Sequence, residues 1–306
     1  MSGTVLLHVV SYVALIVFAV AVIARFLKVA RMPIHLRWEL YPVAHEGKRA
    51  SYGGSAMEEL DWWTKPRHKS RWSELKAMAS EIILLVALFH HNRKVWWRSF
   101  PFHFGLYCLA AFIGLLVIGA VLEISGITGG GLASAIHWLT MIAGIAGLTL
   151  SFLGAGTLLL HRVIDPDLRA YNSHATIFNL LFFVVVSGLG WVTFALADSD
   201  FSMSRQYVGS LISLDLDAAV GGGLFSVQVA LTAALLAYIP LTHMSHFFMK
   251  WFTYHKMRWD DEPNTAGSKI EQRVTVAVQY QPTWAAPHIN ADGEKNWVDL
   301  AVEEIK

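Results

Sequence analysis

Five apolar stretches, each nearly free of charge, punctuate the chain: roughly Val5–Val22, His103–Ile124, Trp138–Leu160, Thr176–Ala197 and Leu224–Met249. A helix needs about 20 mostly apolar residues to cross a bilayer, so each predicts a transmembrane helix. A sixth stretch, Glu81–Phe89, is too short to span. Ser73-Glu74-Leu75-Lys76 precedes it and a run rich in Arg, Lys and Trp from His91 to Arg98 follows it. That pattern predicts an amphipathic helix lying in the membrane interface, or one packed on a partner. The segment Arg273–Tyr280 alternates polar and apolar positions, which predicts a short strand.

Placement of positive residues orients the spans. Every Lys and Arg but Arg205 falls on one side, in residues 25–98, in the loop carrying Arg162 and Arg169, and in the tail from Lys250 onward. Asp198, Asp200, Asp215 and Asp217 accompany Arg205 on the other side. By the positive-inside rule the N-terminus is outside and the C-terminus inside the cytoplasmic membrane. No Lys or Arg precedes the first stretch, and the positive residues follow it, so it reads as a retained helix rather than a cleaved signal. The expected architecture is an all-α membrane protein with five transmembrane helices, an interfacial helix and a small cytoplasmic tail. Its parts are a first helix over 1–27, a cytoplasmic loop with the amphipathic helix over 28–100, a four-helix membrane core over 101–250, and a partner-docking tail over 251–306. Within the loop, Arg37, Trp38, Pro42, Trp62, Trp63 and Pro66 stand out.

Composition agrees with this reading. Of 306 residues, 55% are apolar and 15% charged, against about 25% charged in soluble domains. Mean hydropathy is +0.44. The formal net charge of +1 gives no basic field for nucleic acid. The single cysteine, Cys108, can form no intrachain disulfide and cannot hold an iron–sulfur cluster, which takes four thiolates. No Cys-x-x-Cys-His sequence is present to attach haem covalently.

The histidines are unevenly placed. His103 opens the second span, His161 closes the third, His174 opens the fourth, and His243 and His246 close the fifth, all near the inner face; His8 and His137 lie near the outer face. An ionisable residue in a span is costly and points to function. Two imidazoles at matching depth on different helices can clamp a haem iron. His103 and His246 meet that condition, and spacing alone does not separate His246 from His243. Gly105 and Gly114 would leave room for a macrocycle, and Arg98 and Arg162 lie within reach of haem propionates.

The runs Phe102-His103-Phe104-Gly105, Leu158-Leu159-Leu160-His161-Arg162 with Pro166 and Arg169, and Pro240-Leu241-Thr242-His243-Met244-Ser245-His246 resemble the gamma subunit of respiratory nitrate reductase, a five-span di-haem cytochrome b. The resemblance covers about residues 80–250 and extends to the cytochrome b subunits of sulfate-reducer membrane complexes. Those pair with an iron–sulfur subunit like the catalytic subunit of heterodisulfide reductase. The resemblance implies that His246, six residues after Pro240, ligates the inner haem b together with His103. The positions of the outer-haem ligands are Ile113 and Gln228, roughly 15 and 27 Å along the helices from the inner ligands. One haem b is therefore expected; a second would have to draw on His161, His174, His243 or His137.

His161, His174 and His243 are also the candidates for a quinone site, with Tyr171 and Asp165 nearby, and the resemblance implies menaquinone. The run Trp284-Ala285-Ala286-Pro287-His288-Ile289 through Trp297 would dock the iron–sulfur subunit. The expected function is electron relay between the quinone pool and that cytoplasmic subunit. The alternative is a haem-free membrane anchor of a cytoplasmic enzyme. A transporter would need mid-membrane charges or repeated broken helices, and the spans carry neither.

Overall fold

A computed structural model describes residues 3–32, 43–52, 54–67, 69–219, 221–286 and 289–304. Arg37, Trp38, Pro42, Pro287 and His288, singled out above, lie outside the described residues. The described chain is helical, with one isolated β-bridge between Ala286 and Ile289. The helices are α1 (Gly3–Ala30), α2 (Arg71–Leu84), α3 (Val86–His91), α4 (Arg93–Ile124), α5 (Gly130–Ile164), α6 (Pro166–Arg169), α7 (His174–Leu196), α8 (Ser202–Ser213), α9 (Gly223–Tyr238), α10 (His246–Phe252), α11 (Lys269–Ala277) and α12 (Trp297–Val302). Five of them, α1, α4, α5, α7 and α9 with its extension to Leu241, are long and apolar enough to cross a membrane. This is a multi-pass membrane protein. The chain divides into two units, Met1–Val22 with Met78–Ser245, and Ile23–Ala77 with His246–Lys306.

In the first unit α4 packs along α5, α5 on α7, and α7 on α9. The α4–α5 crossing is close because small residues line it. A Cβ on Gly154 would fall 2.4 Å from the Phe102 nitrogen, and one on Gly105 would fall 2.4 Å from the Ser151 nitrogen. Such backbone approach is the usual device for packing helices in lipid, where burial of apolar surface gives no drive. Phe102, Ala155, Leu158, Leu180, Phe183, Val186 and Leu235 form the core at one end of these four helices. Leu116, Leu148 and Phe201 form another toward the opposite end.

The apolar pattern did not announce α8. Its N-terminus is held by the buried Asp198 carboxylate, which accepts from the backbone N–H groups of Met203 and Ser204, each at 2.9 Å. Its polar positions face α1: His8 Nε2 bonds Ser210 Oγ at 2.7 Å, and Ser11 Oγ bonds Tyr207 Oη at 2.8 Å. His8 is fully buried there. Its depth thus reflects a helix–helix contact.

Two other expectations are corrected. The stretch Glu81–Phe89 is divided between α2 and α3, broken at Leu85, whose φ is 52°. The segment Arg273–Tyr280 is largely helical, in α11 and the turn after it, and not a strand. Ser268 Oγ accepts from the Glu271 N–H at 3.0 Å, and the Glu271 carboxylate accepts from the Gly267 N–H at 2.6 Å. Those caps nucleate a helix through a β-branched run.

In the second unit, Asp261 is the hub. Its buried carboxylate accepts from His45 Nε2 at 3.1 Å and Arg67 Nη1 at 2.8 Å, and pairs with Lys69 Nζ at 3.0 Å. Burial alone would raise the pKa of this carboxyl; the bonds to His45 and Lys69 outweigh it and hold the pKa well below the ordinary value. Lys256 Nζ donates to the Ala30 carbonyl at 2.8 Å, and Phe26 packs on Phe252 with ring centroids 4.9 Å apart.

Candidate functional site

His103 sits one-third of the way along α4, on the turn after Ser99. Asn92 caps this helix, accepting from the Val95 N–H at 3.1 Å. The break at Leu85 releases nearby carbonyls of α2, and α4 supplies donors for them. Tyr107 Oη donates to the Ile82 carbonyl at 2.7 Å, and Trp96 Nε1 donates to the Leu84 carbonyl at 2.8 Å. Ser99, His103 and Tyr107 recur every four residues and so share a face.

His103 Nδ1 lies 2.8 Å from the Ser99 carbonyl oxygen and 3.2 Å from Ser99 Oγ. A carbonyl only accepts, so Nδ1 carries a proton, which in a neutral ring puts the lone pair on Nε2. That is the tautomer an iron-ligating histidine adopts, oriented by a backbone acceptor. The donor chemistry at His103 therefore fits a haem iron. The glycine cradle fits less well. Gly105 is consumed in the α4–α5 crossing, so it leaves no room for a macrocycle; a Cβ on Gly114 would meet nothing within 4 Å. Arg98 turns back on its own helix, donating to the Lys94 carbonyl.

His161 lies in the last turn of α5, with Nε2 3.7 Å from the Asp165 carboxylate. Asp165 also caps α6. Arg162 Nη1 donates to Asn172 Oδ1 at 3.3 Å, and Asn172 Nδ2 returns a bond to the Arg162 carbonyl at 2.7 Å. The pair fastens the connection to α7. His174 is the first residue of α7 and is exposed.

The fifth span ends earlier than its hydropathy suggests. Pro240 lacks an N–H, and its ring opposes the carbonyl four residues back. Helix α9 stops at Tyr238, Thr242 is extended at φ −112° and ψ −175°, and Met244 N donates to Thr242 Oγ1. His243 follows this break in the first unit. His246 opens α10 in the second unit and is exposed. It is not on the continuous helix expected over Leu224–Met249.

One polar group at this end was missed by the sequence reading. Asn179, buried on α7, accepts from Tyr238 Oη at 2.8 Å and meets His243 Nδ1 through Nδ2 at 3.5 Å. An Asn within an apolar span was the available signal.

At the other end, Ile113 is 48% exposed. Gln228 Nε2 donates to the Val186 carbonyl at 3.3 Å and to Thr232 Oγ1 at 3.1 Å. Arg205 pairs with Glu123 at 2.6 Å beside a cavity of about 290 Å³ that His137 also lines.

No curated protein and no solved structure matches the chain. The sequence model of the nitrate reductase gamma subunit does match, over residues 78–260. That range takes in α4, α5, α7 and α9 and every histidine from His90 to His255, His103 and His246 among them. The chain belongs to the nitrate reductase gamma subunit family, the membrane cytochrome b subunits of multi-subunit membrane-bound oxidoreductases that carry out quinol-linked electron transfer.

Proposed function

We propose that this protein relays electrons between the quinone pool and a cytoplasmic iron–sulfur subunit like that of heterodisulfide reductase, through one haem b held by His103 and His246. The observation that supports the reading is the His103 Nδ1 bond to the Ser99 carbonyl, the orientation a ligating imidazole would use, within the family-matched region. When bound, haem b supplies a one-electron station between a two-electron quinol and one-electron clusters.

His103 presents Nε2 from a rigid helix. His246, at the start of α10, would supply the other ligand nitrogen. Arg98 and Arg162, bonded here to the Lys94 carbonyl and to Asn172, would have to turn to meet the propionates. His161, His174 and His243 offer hydrogen bonds to the quinone, with menaquinone as the expected substrate. The exposed tail around Trp284, whose ring centroid lies 6.0 Å from that of Trp297, would dock the iron–sulfur subunit.

The test is a dithionite-reduced minus oxidised spectrum of His103→Ala and His246→Ala in membranes. Each substitution should abolish the b-type signal. Full haem retention in both would overturn the ligand assignment.

A further inference from the structure

The cavity beside Arg205 lies at the end of the spans away from His103, where α4 turns into α5. Its volume of about 290 Å³ is far more than a single water needs. Arg205 reaches it from α8 across a face of α4 that Gly119 leaves bare: a Cβ on Gly119 would fall 2.7 Å from Arg205 Cδ. The Arg205 side chain is 13% exposed, and its Nε donates to Glu123 Oε1 at 2.6 Å. A guanidinium has further donors on its two Nη atoms. Among the described residues these have no bond, although the side chain lines the cavity. Holding a cation out of water with donors unmatched is costly. Glu123 is half-used in the same way: among the described residues its Oε2 has no hydrogen bond.

The rest of the wall sets what could meet these groups. Ser134 and His137, three residues apart on α5, add a hydroxyl and an imidazole. Leu122, Ile127 and Ile136 make it apolar elsewhere, and Ile127 is 43% exposed. Among the described lining residues only Arg205 and Glu123 carry a fixed charge. The wall is therefore neutral in sum but presents both signs side by side. A simple anion would meet Glu123, and a simple cation would meet Arg205. A ligand with a phosphate and an ammonium a few bonds apart meets each with its opposite. The position, where two spans end and headgroups lie, and the apolar rim call for a ligand that carries acyl chains as well.

We propose that this cavity is a binding site for the headgroup of phosphatidylethanolamine. The Arg205 Nη donors and the polar groups of Ser134 and His137 hold its phosphate, and Glu123 accepts from its ammonium. Phosphatidylcholine carries the same two charges, but its methylated ammonium has no N–H to donate. Phosphatidylglycerol has the phosphate and no cation. The site does not depend on the electron-relay reading.

The test is native mass spectrometry of the full chain, delipidated in detergent and titrated with these three lipids bearing identical acyl chains. Wild type should bind phosphatidylethanolamine about tenfold more tightly than either of the others, the effect of one charge-assisted hydrogen bond. Arg205→Gln should weaken phosphatidylethanolamine by about tenfold. Glu123→Gln should weaken it similarly and strengthen phosphatidylglycerol, an exchange of preference that mere loss of packing does not produce. Ser134→Phe fills the cavity from α5, keeps the ion pair and should abolish the preference, so the test survives if the ion-pair variants fail to fold. Soluble phosphoethanolamine at the lipid's own concentration should not displace the lipid. Equal affinity of wild type for the three lipids, a preference unchanged in Ser134→Phe, or displacement by soluble phosphoethanolamine at equal concentration would overturn the proposal.

Discussion

A single methyl group at Gly154 should loosen the membrane core, and the same change at Gly114 should not. A Cβ on Gly154 would lie 2.4 Å from the Phe102 nitrogen and 2.5 Å from its Cα. Ordinary carbon contacts are about 3.5–4.0 Å, so α4 and α5 must part by about 1 Å. Backbone atoms cannot rotate away as a flexible side chain can. Overpacking of this kind costs about 1–3 kcal/mol, from which the better helix propensity of Ala returns at most about 1 kcal/mol. With that 1 kcal/mol returned in full, the net loss is up to about 2 kcal/mol, a factor of up to about 30 in the folding equilibrium.

Gly114→Ala meets nothing within 4 Å and should only gain the propensity term. Unfolding of the two variants in a graded detergent–denaturant mixture, followed by circular dichroism, compares them directly. Phe102 precedes His103 in sequence, so haem occupancy should fall in Gly154→Ala as well. If Gly154→Ala is as stable as Gly114→Ala, the close crossing of α4 and α5 is wrong.

Asp261→Asn should destabilise the second unit by about 1–3 kcal/mol, since it removes the buried charge that the half-exposed Arg67 and the exposed Lys69 share; limited proteolysis between α1 and α2 reads the loss. The Asp261 carboxyl is held below its ordinary value of 3.8, so its contribution is complete above about pH 4 and disappears only as pH falls through the depressed value. A loss already complete at pH 6 would show another group at work. Tyr107→Phe leaves the Ile82 carbonyl without its 2.7 Å donor and should cost about 1 kcal/mol, seen as faster hydrogen exchange in α2 and α3. His137→Ala should leave the haem spectrum unchanged; a lost signal would reveal a ligand at the far end of α5.

The five spans are legible in the sequence because lipid demands long apolar runs. Their ends are less so. Helix α4 begins ten residues before His103 because the Trp- and Arg-rich turns from Arg93 continue it beyond the apolar run. The end of α9 was readable from Pro240, but the apolar residues beyond it outweighed that signal. The helical fate of Arg273–Tyr280 was readable from Ser268 and Glu271, which form a capping pair that alternation conceals. Gly105 illustrates a different limit. A glycine on a span shows that something approaches closely; only the packing identifies it as the Ser151 backbone. The Asn179–Tyr238 bond joins positions 59 residues apart, and no local pattern carries that pairing.

The central claim is a single haem b per chain, bound through His103 and His246. Its most direct test is haem quantification against protein on the detergent-purified chain, with a reduced minus oxidised spectrum of the same sample. The account predicts one b-type haem per chain. A fully folded chain with no haem would contradict it.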